Sequence, residues 1–331
     1  MTDVAKAAAV SHQTVSRVLN GHPNVRPATR DRVLAAIEQL GYRPNLAARA
    51  LASGRSTQLG LITLNTMLLG PVATLYAVEQ AARSSGYSVS VTSVGSVDRQ
   101  SLRESISRLV QQSVAGVIII APVDSRDSAL TVLPPELPAV SVEADPESAV
   151  SGVTVDQELG GYMATRHLLD LGHRTIVHIC GPTDFIEAGQ RVVGWRRALT
   201  EAGAPVPEVI VGDWSAQSGY DAGRLLASAP DVTAVFAAND NMALGLLRAF
   251  SEQGRSVPHD VSIVGFDDIA EAGFFTPPLT SIRQDFAEMG RRSVELLLRQ
   301  IGSGVRSVEH ITLAPELVLR ESTAPVGAPV D

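Results

Sequence analysis

A single cysteine, Cys180, stands in a chain of 331 residues. It excludes an intramolecular disulfide and leaves no cysteine cluster to hold a metal, which fits a reducing compartment. No run of about 18 uninterrupted apolar residues occurs, so a membrane span is not expected. The first residues carry Asp3 and Lys6 where a secretory signal would need an apolar run. Phosphate-binding P-loop, G-x-S-x-G and H-E-x-x-H motifs are absent, and no G-x-G-x-x-G follows the first strand-like run. These absences speak against most nucleotide-dependent, hydrolytic and zinc-dependent enzymes, and no cofactor and no catalytic residue are expected. The closing residues after Arg320, ESTAPVGAPVD, hold no leucine heptad.

The charge that is present is unevenly placed. Residues 1–55 carry eight basic and three acidic side chains, a net +5, while the remainder carries 19 basic and 32 acidic, a net −13. A small basic head on an acidic body predicts that only the head meets phosphate.

The head reads as short helices. Residues 3–9 (DVAKAAA) are helix-prone, and Thr2 is placed to cap them. Ser11 is a suitable cap for a second helix running to about Leu19, and Asn20-Gly21 closes it. Pro27 suits the first turn of a third helix ending at Leu40-Gly41, with Val33, Ile37 and Leu40 at helical spacing. Within residues 3–20 the phrasing is that of a helix-turn-helix, in which Val4, Ala5, Val15 and Val18 form a small core. His12, Gln13 and Arg17 then face outward from the start of the second helix. Glutamine pairs with adenine and arginine with guanine in the major groove. The same pattern also describes a surface helix whose polar residues are simply solvated.

Beyond Gln58 the pattern changes. Val/Ile-rich runs of strand length (59–63, 87–91, 116–120, 175–180, 208–212, 234–238 and 261–266, with a shorter one near 139–142) alternate with amphipathic stretches at 72–85, 99–113, 156–171, 187–202, 216–228, 241–254 and 285–301. Near-continuous apolar strands separated by helices predict parallel sheets covered on both faces. About ten strands suit two subdomains with a cleft between them better than one sheet.

The stretch from Val10 to Ser56, VSHQTVSRVLNGHPNVRPATRDRVLAAIEQLGYRPNLAARALASGRS, resembles the headpiece of the lactose repressor (LacI) family. GDWSAQSGY (212–220), AANDNMALGLLRAF (237–250) and VGFDDIAEAGFFTPPLTSIRQDF (264–286) resemble the family's periplasmic-binding-protein-like core, and more its sugar-responsive than its purine-binding members. The resemblance spans residues 2 to about 320. It implies an α/β protein: an all-α helix-turn-helix headpiece at 1–44, a hinge helix and linker at 45–57, a core at 58–320 and a short tail at 321–331. The core divides into an N-terminal subdomain of about 58–154 and a C-terminal one of about 155–280, with chain crossovers near 155, 283 and 314.

In this picture Thr14, Ser16 and Asn20 contact phosphate, and His12, Gln13 and Arg17 read bases. Asn45, Arg49 and Leu51 lie on a hinge segment that folds on the operator, Leu51 wedging into the minor groove. The chain departs from the family at Ala9, where glycine is common.

For the core, the resemblance implies a cytoplasmic, sugar-responsive repressor that binds a pseudo-palindromic operator as a homodimer, with Leu244 and Phe275 on the dimer face. Arg191, Asn239 and Asp267 would hydrogen-bond sugar hydroxyls, Trp214 would pack on the sugar ring, and Pro71 and Phe286 would line the pocket. Glu143 and Glu187 stand where a shorter acid and a small hydroxyl residue are usual, and Glu187 is placed to pair with Arg191. Independently, residues just past strand ends in an open α/β sheet line its ligand crevice, and planar polar groups with an aromatic ring suit a sugar. Taken singly the same residues read otherwise: Trp214 as core, Asn239-Asp240 as a helix cap, Asp267-Asp268 as a cap pair, Asp267 with Glu143 as a glycosidase acid pair. A purine- or phosphosugar-dependent regulator and a sugar-transport protein remain the alternatives.

Overall fold

The computed structural model describes residues 1–19, 22–42, 56–64, 68–95, 98–120, 132–143, 148–229 and 231–327. The expected contact residues Asn20, Asn45, Arg49 and Leu51 lie outside them. The chain forms two compact units, Met1–Ser56 and Thr57–Asp331.

In the first unit, α1 (Thr2–Ala7), α2 (His12–Leu19) and α3 (Pro27–Gln39) close around Val4, Ala5, Ala8, Val15, Val18, Val33 and Ala36. Small and β-branched side chains let three short helices approach closely. Ser11 caps α2, its Oγ accepting from the Thr14 amide at 3.1 Å. Pro27 opens α3, and Gly41 follows it at φ +55°. Two details differ from the sequence reading. Thr2 is the first helical residue rather than the cap, and its Oγ1 lies 3.0 Å from His12 Nε2. Leu40, at helical spacing with Val33 and Ile37, is the C-cap residue of α3 and is 47% exposed. Ala9 sits in the left-handed region at φ +51°, which a Cβ disfavours by about 1–2 kcal/mol and glycine does not.

The second unit contains two six-stranded sheets among the described residues. The strands are β1 (Gln58–Leu64), β2 (Ser88–Val94), β3 (Val117–Ile120), β4 (Ala139–Val142), β5 (Ser151–Val155), β6 (Ile176–Cys180), β7 (Ile210–Val211), β8 (Ala234–Ala237), β9 (Ser262–Asp267), β10 (Thr280–Arg283), β11 (His310–Leu313) and β12 (Glu316–Val318). The first sheet runs β11-β5-β4-β3-β1-β2 with every pairing parallel. The second runs β12-β10-β9-β8-β6-β7, parallel except for its antiparallel edge strand β12. The chain therefore passes between the sheets after β5, after β10 and between β11 and β12.

The covering helices are α4 (Leu69–Ser84), α5 (Arg99–Gln111), α6 (Gln157–Asp170), α7 (Ile186–Glu201), α8 (Ala216–Ala227), α9 (Asp240–Glu252) and α10 (Phe286–Ser303). The last, α10, follows β10 of the second sheet yet buries Met289, Val294, Leu296 and Leu297 against Leu59, Leu61 and Ile118 of the first. Beyond Arg320 the chain does not hang free: Ser322 O accepts from the Ile263 amide at 2.8 Å, and Val326 N donates to Leu171 O.

Glycines set how closely the helices that shape the cleft approach. A Cβ on Gly161 of α6 would lie 2.3 Å from Arg191 O of α7, and one on Gly194 of α7 would lie 1.9 Å from Glu158 O of α6. Small residues at this crossing let α7 sit backbone to backbone with α6 and thereby fix where Glu187 and Arg191 point.

Candidate effector site and DNA-reading helix

On α2, His12, Gln13 and Arg17 are exposed, whereas Val15 and Val18 are buried. Thr14 and Ser16 are half-buried at its flanks, and the hydroxyls of Thr14 and Ser11 lie 2.9 Å apart. A helix with one face committed to the core therefore turns His12, Gln13 and Arg17 outward on its other side, where His12 Nε2 meets Thr2 Oγ1.

The second unit holds a cleft of about 700 Å³, counting its open mouth, and its walls come from both sheets and from the crossovers. Pro71, Glu143, Glu187, Arg191, Trp214, Asn239, Asp267 and Phe286, all singled out from sequence, line it. Glu143 follows β4, Asn239 follows β8 and Asp267 ends β9, so the carboxyl ends of three strands converge there. Four of the six non-glycine residues with positive φ among those described are at or next to this cleft: Glu143 (+56°), Trp214 (+71°), Asp267 (+103°) and Asp268 (+55°). Such backbone costs roughly 1–3 kcal/mol per residue and persists where the surroundings hold a side chain in one aim.

Arg191 is buried beneath the floor. Its Nε donates to Gln157 Oε1 at 2.8 Å, an Nη donates to Ala238 O, and its guanidinium lies 3.7 Å over the Phe266 ring and 5.5 Å from that of Trp214. Burial lowers its pKa, while Asp267, Glu187 and Glu143 oppose the shift. The expected ion pair with Glu187 does not form, and no ion pair joins Arg191 to any carboxylate among the described residues. Two of its N–H groups serve Gln157 and Ala238 instead, and its plane lies over the ring of Phe266.

Glu187 lies in the first turn of α7, and its buried Oε2 has no hydrogen-bond partner. Burial raises its pKa. Glu143 is pushed up to about 7, first by burial and then by repulsion from Glu187. Its Oε2 accepts from Thr154 Oγ1 at 2.9 Å. Asp267 is raised to about 6 by burial, against the pull of Arg191, and accepts from Gln284 Nε2 at 2.7 Å.

Trp214 is both core and cleft wall. It is 7% exposed, packs in the apolar cluster around Met242 and Leu246, and meets Phe185 edge-on at 5.8 Å. Its ring lies across Gly181, where a Cβ would come within 2.1 Å of it. Its Nε1 is buried without a partner. Asn239 caps α9 through Oδ1 to the Met242 amide at 2.8 Å and donates from Nδ2 to Trp214 O at 3.0 Å. The cap reading of Asn239 therefore holds together with its place in the cleft, since its side chain also fixes the tryptophan. Asp268 is no cap but an ion-pair partner of Arg283 and Arg320.

The sequence reading passed over Gln157 and Gln284. Both line the cleft and are buried, and they bond to each other at 2.8 Å. Gln157 follows β5 and Gln284 follows β10, so this amide pair ties two crossover segments together and reaches Arg191 on one side and Asp267 on the other. The rule that ligand groups follow strand ends covers them, but β5 and β10 were not read as strands.

Residues 1–45 match the family model for bacterial regulatory proteins, lacI family, and residues 165–323 match the periplasmic binding protein-like domain. The lactose operon repressor of Escherichia coli (strain K12) is 35% identical over 323 residues, which are 97% of this chain and 89% of that protein. This chain belongs to the lacI family. The HTH-type transcriptional repressor PurR of Haemophilus influenzae (strain PittEE) is 34% identical, with 97% of each chain covered. Among solved structures, the lac repressor dimer bound to operator and the anti-inducer ONPF superposes with a TM-score of 0.87 at 35% identity, covering 97% of this chain and 98% of that one. The transcriptional regulator CelR in complex with cellobiose gives 0.72 at 35% identity over the same shares. Repressors, not enzymes, thus match the chain over nearly its whole length. No described helix is long and apolar enough to cross a membrane.

Leu244 on α9, expected on the dimer face, is 41% exposed. Phe275 is half-buried against the second unit's core, whereas its neighbour Phe274 is 87% exposed. A sequence of adjacent phenylalanines carries no sign of which one the fold turns outward.

Proposed function

We propose that this protein is a cytoplasmic transcriptional repressor that binds a pseudo-palindromic operator as a homodimer and releases it when a small, galactoside-like sugar enters the cleft. Head (1–44), hinge (45–57), two-part core (58–320) and closing tail (321–331) divide the work. His12, Gln13 and Arg17 read bases, and Thr14, Ser16 and Asn20 hold phosphates. Asn45, Arg49 and Leu51 act at the hinge, and Leu244 and Phe275 lie where the protomers meet.

The observation that carries the effector half is the convergence of Glu143, Arg191, Trp214, Asn239 and Asp267 on one cleft between two sheets. A flat apolar ring for a C–H face, with planar polar groups around it, is what a sugar needs. The crossovers that frame the cleft are also the segments any motion between its walls must bend, so a ligand bridging both walls biases their spacing.

The near-equal identity to PurR supports a second reading, in which a purine strengthens operator binding. Three carboxyl groups beside one guanidinium argue against a phosphorylated sugar in either case. A gel shift with the protein's own operator separates the two: simple galactosides and glucosides are expected to weaken binding. Strengthening by hypoxanthine or guanine, with no effect of any sugar, would replace the first reading with the second.

A further inference from the structure

The cleft holds more acidic side chains than basic ones. Glu143, Glu187 and Asp267 line it together with one cation, Arg191. Arg191 acts on all three, Asp267 most strongly, and Glu187 lies near enough to Glu143 to raise it against that pull. Burying an unpaired carboxylate is costly unless a partner arrives.

Glu143 has a hydroxyl donor in Thr154, but Oε2 of Glu187 is buried with none, and the buried Nε1 of Trp214 lacks an acceptor. Two residues that line the same cleft thus each hold a buried polar atom without a partner, one an acceptor and one a donor. A metal is not the missing cation: among the described residues no three His, Cys, Asp or Glu side chains lie close enough to hold one. An organic cation bearing N–H donors meets both needs of the acid pair.

We infer that the effector is an amino sugar, its protonated amine seated between Glu187 and Glu143 and a ring or hydroxyl oxygen accepting from Trp214 Nε1. This rests on the reading that the cleft takes a sugar and narrows its class. Glu143 and Glu187 then act as specificity residues, selecting the ammonium over the hydroxyl.

The test is titration calorimetry on the full chain. The probes are methyl β-D-galactoside and methyl β-D-glucoside, their 2-amino and 6-amino analogues, and the matching N-acetyl compounds, which keep the bulk and lose the charge. At least one amino analogue is expected to bind about tenfold or more tighter than both its hydroxyl parent and its acetylated form, the scale of one charge-assisted contact. That preference should collapse in Glu187→Gln and shrink in Glu143→Gln, with melting curves confirming that both variants fold.

If the hydroxyl parents bind as well as every amine, the amino-sugar assignment falls and the sugar reading stands. If the preference persists in both variants, the acid pair is not its source and the assignment falls as well. If no sugar binds while a purine does, the sugar reading fails and takes this inference with it.

Discussion

Replacing Glu143 by glutamine should favour the ligand-free core increasingly as pH rises from about 4.5 to about 7. In the folded protein this carboxyl titrates near 7 rather than 4.5, because it is buried and faces Glu187. Between those values the folded state binds more protons than the unfolded state, so stability falls as pH rises through the window. At about 1.4 kcal/mol for each tenfold change in proton affinity, the ionised side chain opposes folding by about 3 kcal/mol above pH 7. Glutamine keeps an oxygen to accept from Thr154 Oγ1 and removes the charge. Whatever it costs in packing is the same at every pH.

The diagnostic is therefore the change with pH in the difference between variant and wild type. Other titrating groups around the cleft, Glu187, Arg191 and Asp267, are common to both proteins and largely cancel. Removing one member of the pair shifts where Glu187 titrates without changing the sign. Melting curves at pH 5 and pH 8 should show the variant gaining roughly 5–10 °C over wild type on going to the higher pH, for a core of this size. A melting difference that stays constant, or moves the other way, would refute the buried, mutually repelling pair.

Three further changes probe the remaining parts. Arg17→Ala should reduce discrimination between operator and unrelated DNA by about 1–3 kcal/mol, read from competition gel shifts, with weak nonspecific binding retained. Trp214→Ala should leave operator binding in place and abolish release by sugar; loss of DNA binding itself would show that the ring's place in the apolar core outweighs its place in the cleft. Gly161→Ala should destabilise the core by roughly 1–3 kcal/mol and weaken sugar binding, because the new methyl drives α7, with Glu187 and Arg191, off α6. Helix propensity alone would stabilise that variant by about 1 kcal/mol, so a rise in melting temperature would count against the close approach.

Much of the fold was legible because most elements bury one face and write that demand into the chain. Val4, Val15, Val18 and Val33 announce a small three-helix core, and the Val/Ile runs of β1, β3, β6, β8 and β9 announce buried parallel strands. The elements that were missed, β5, β10, β11 and β12, are short and mostly lie where the chain changes sheets. Sequences such as HITL or ELV become strands only because a neighbour is there to pair with. The antiparallel edge β12 belongs to the same class.

By itself, the sequence determined the two-part plan, the outward-reading helix and the residue types waiting at the strand ends, because periodicity, capping and motif spacing are local. Tertiary structure alone decided which of those residues act together. It bound Glu143 to Thr154 across two strands, drew Gln157 and Gln284 from distant crossovers into one amide pair, and turned Phe274 out and Phe275 in. It also left Glu187 without the arginine the sequence offered it. Charge compensation depends on distance, and distance between remote residues exists only after folding.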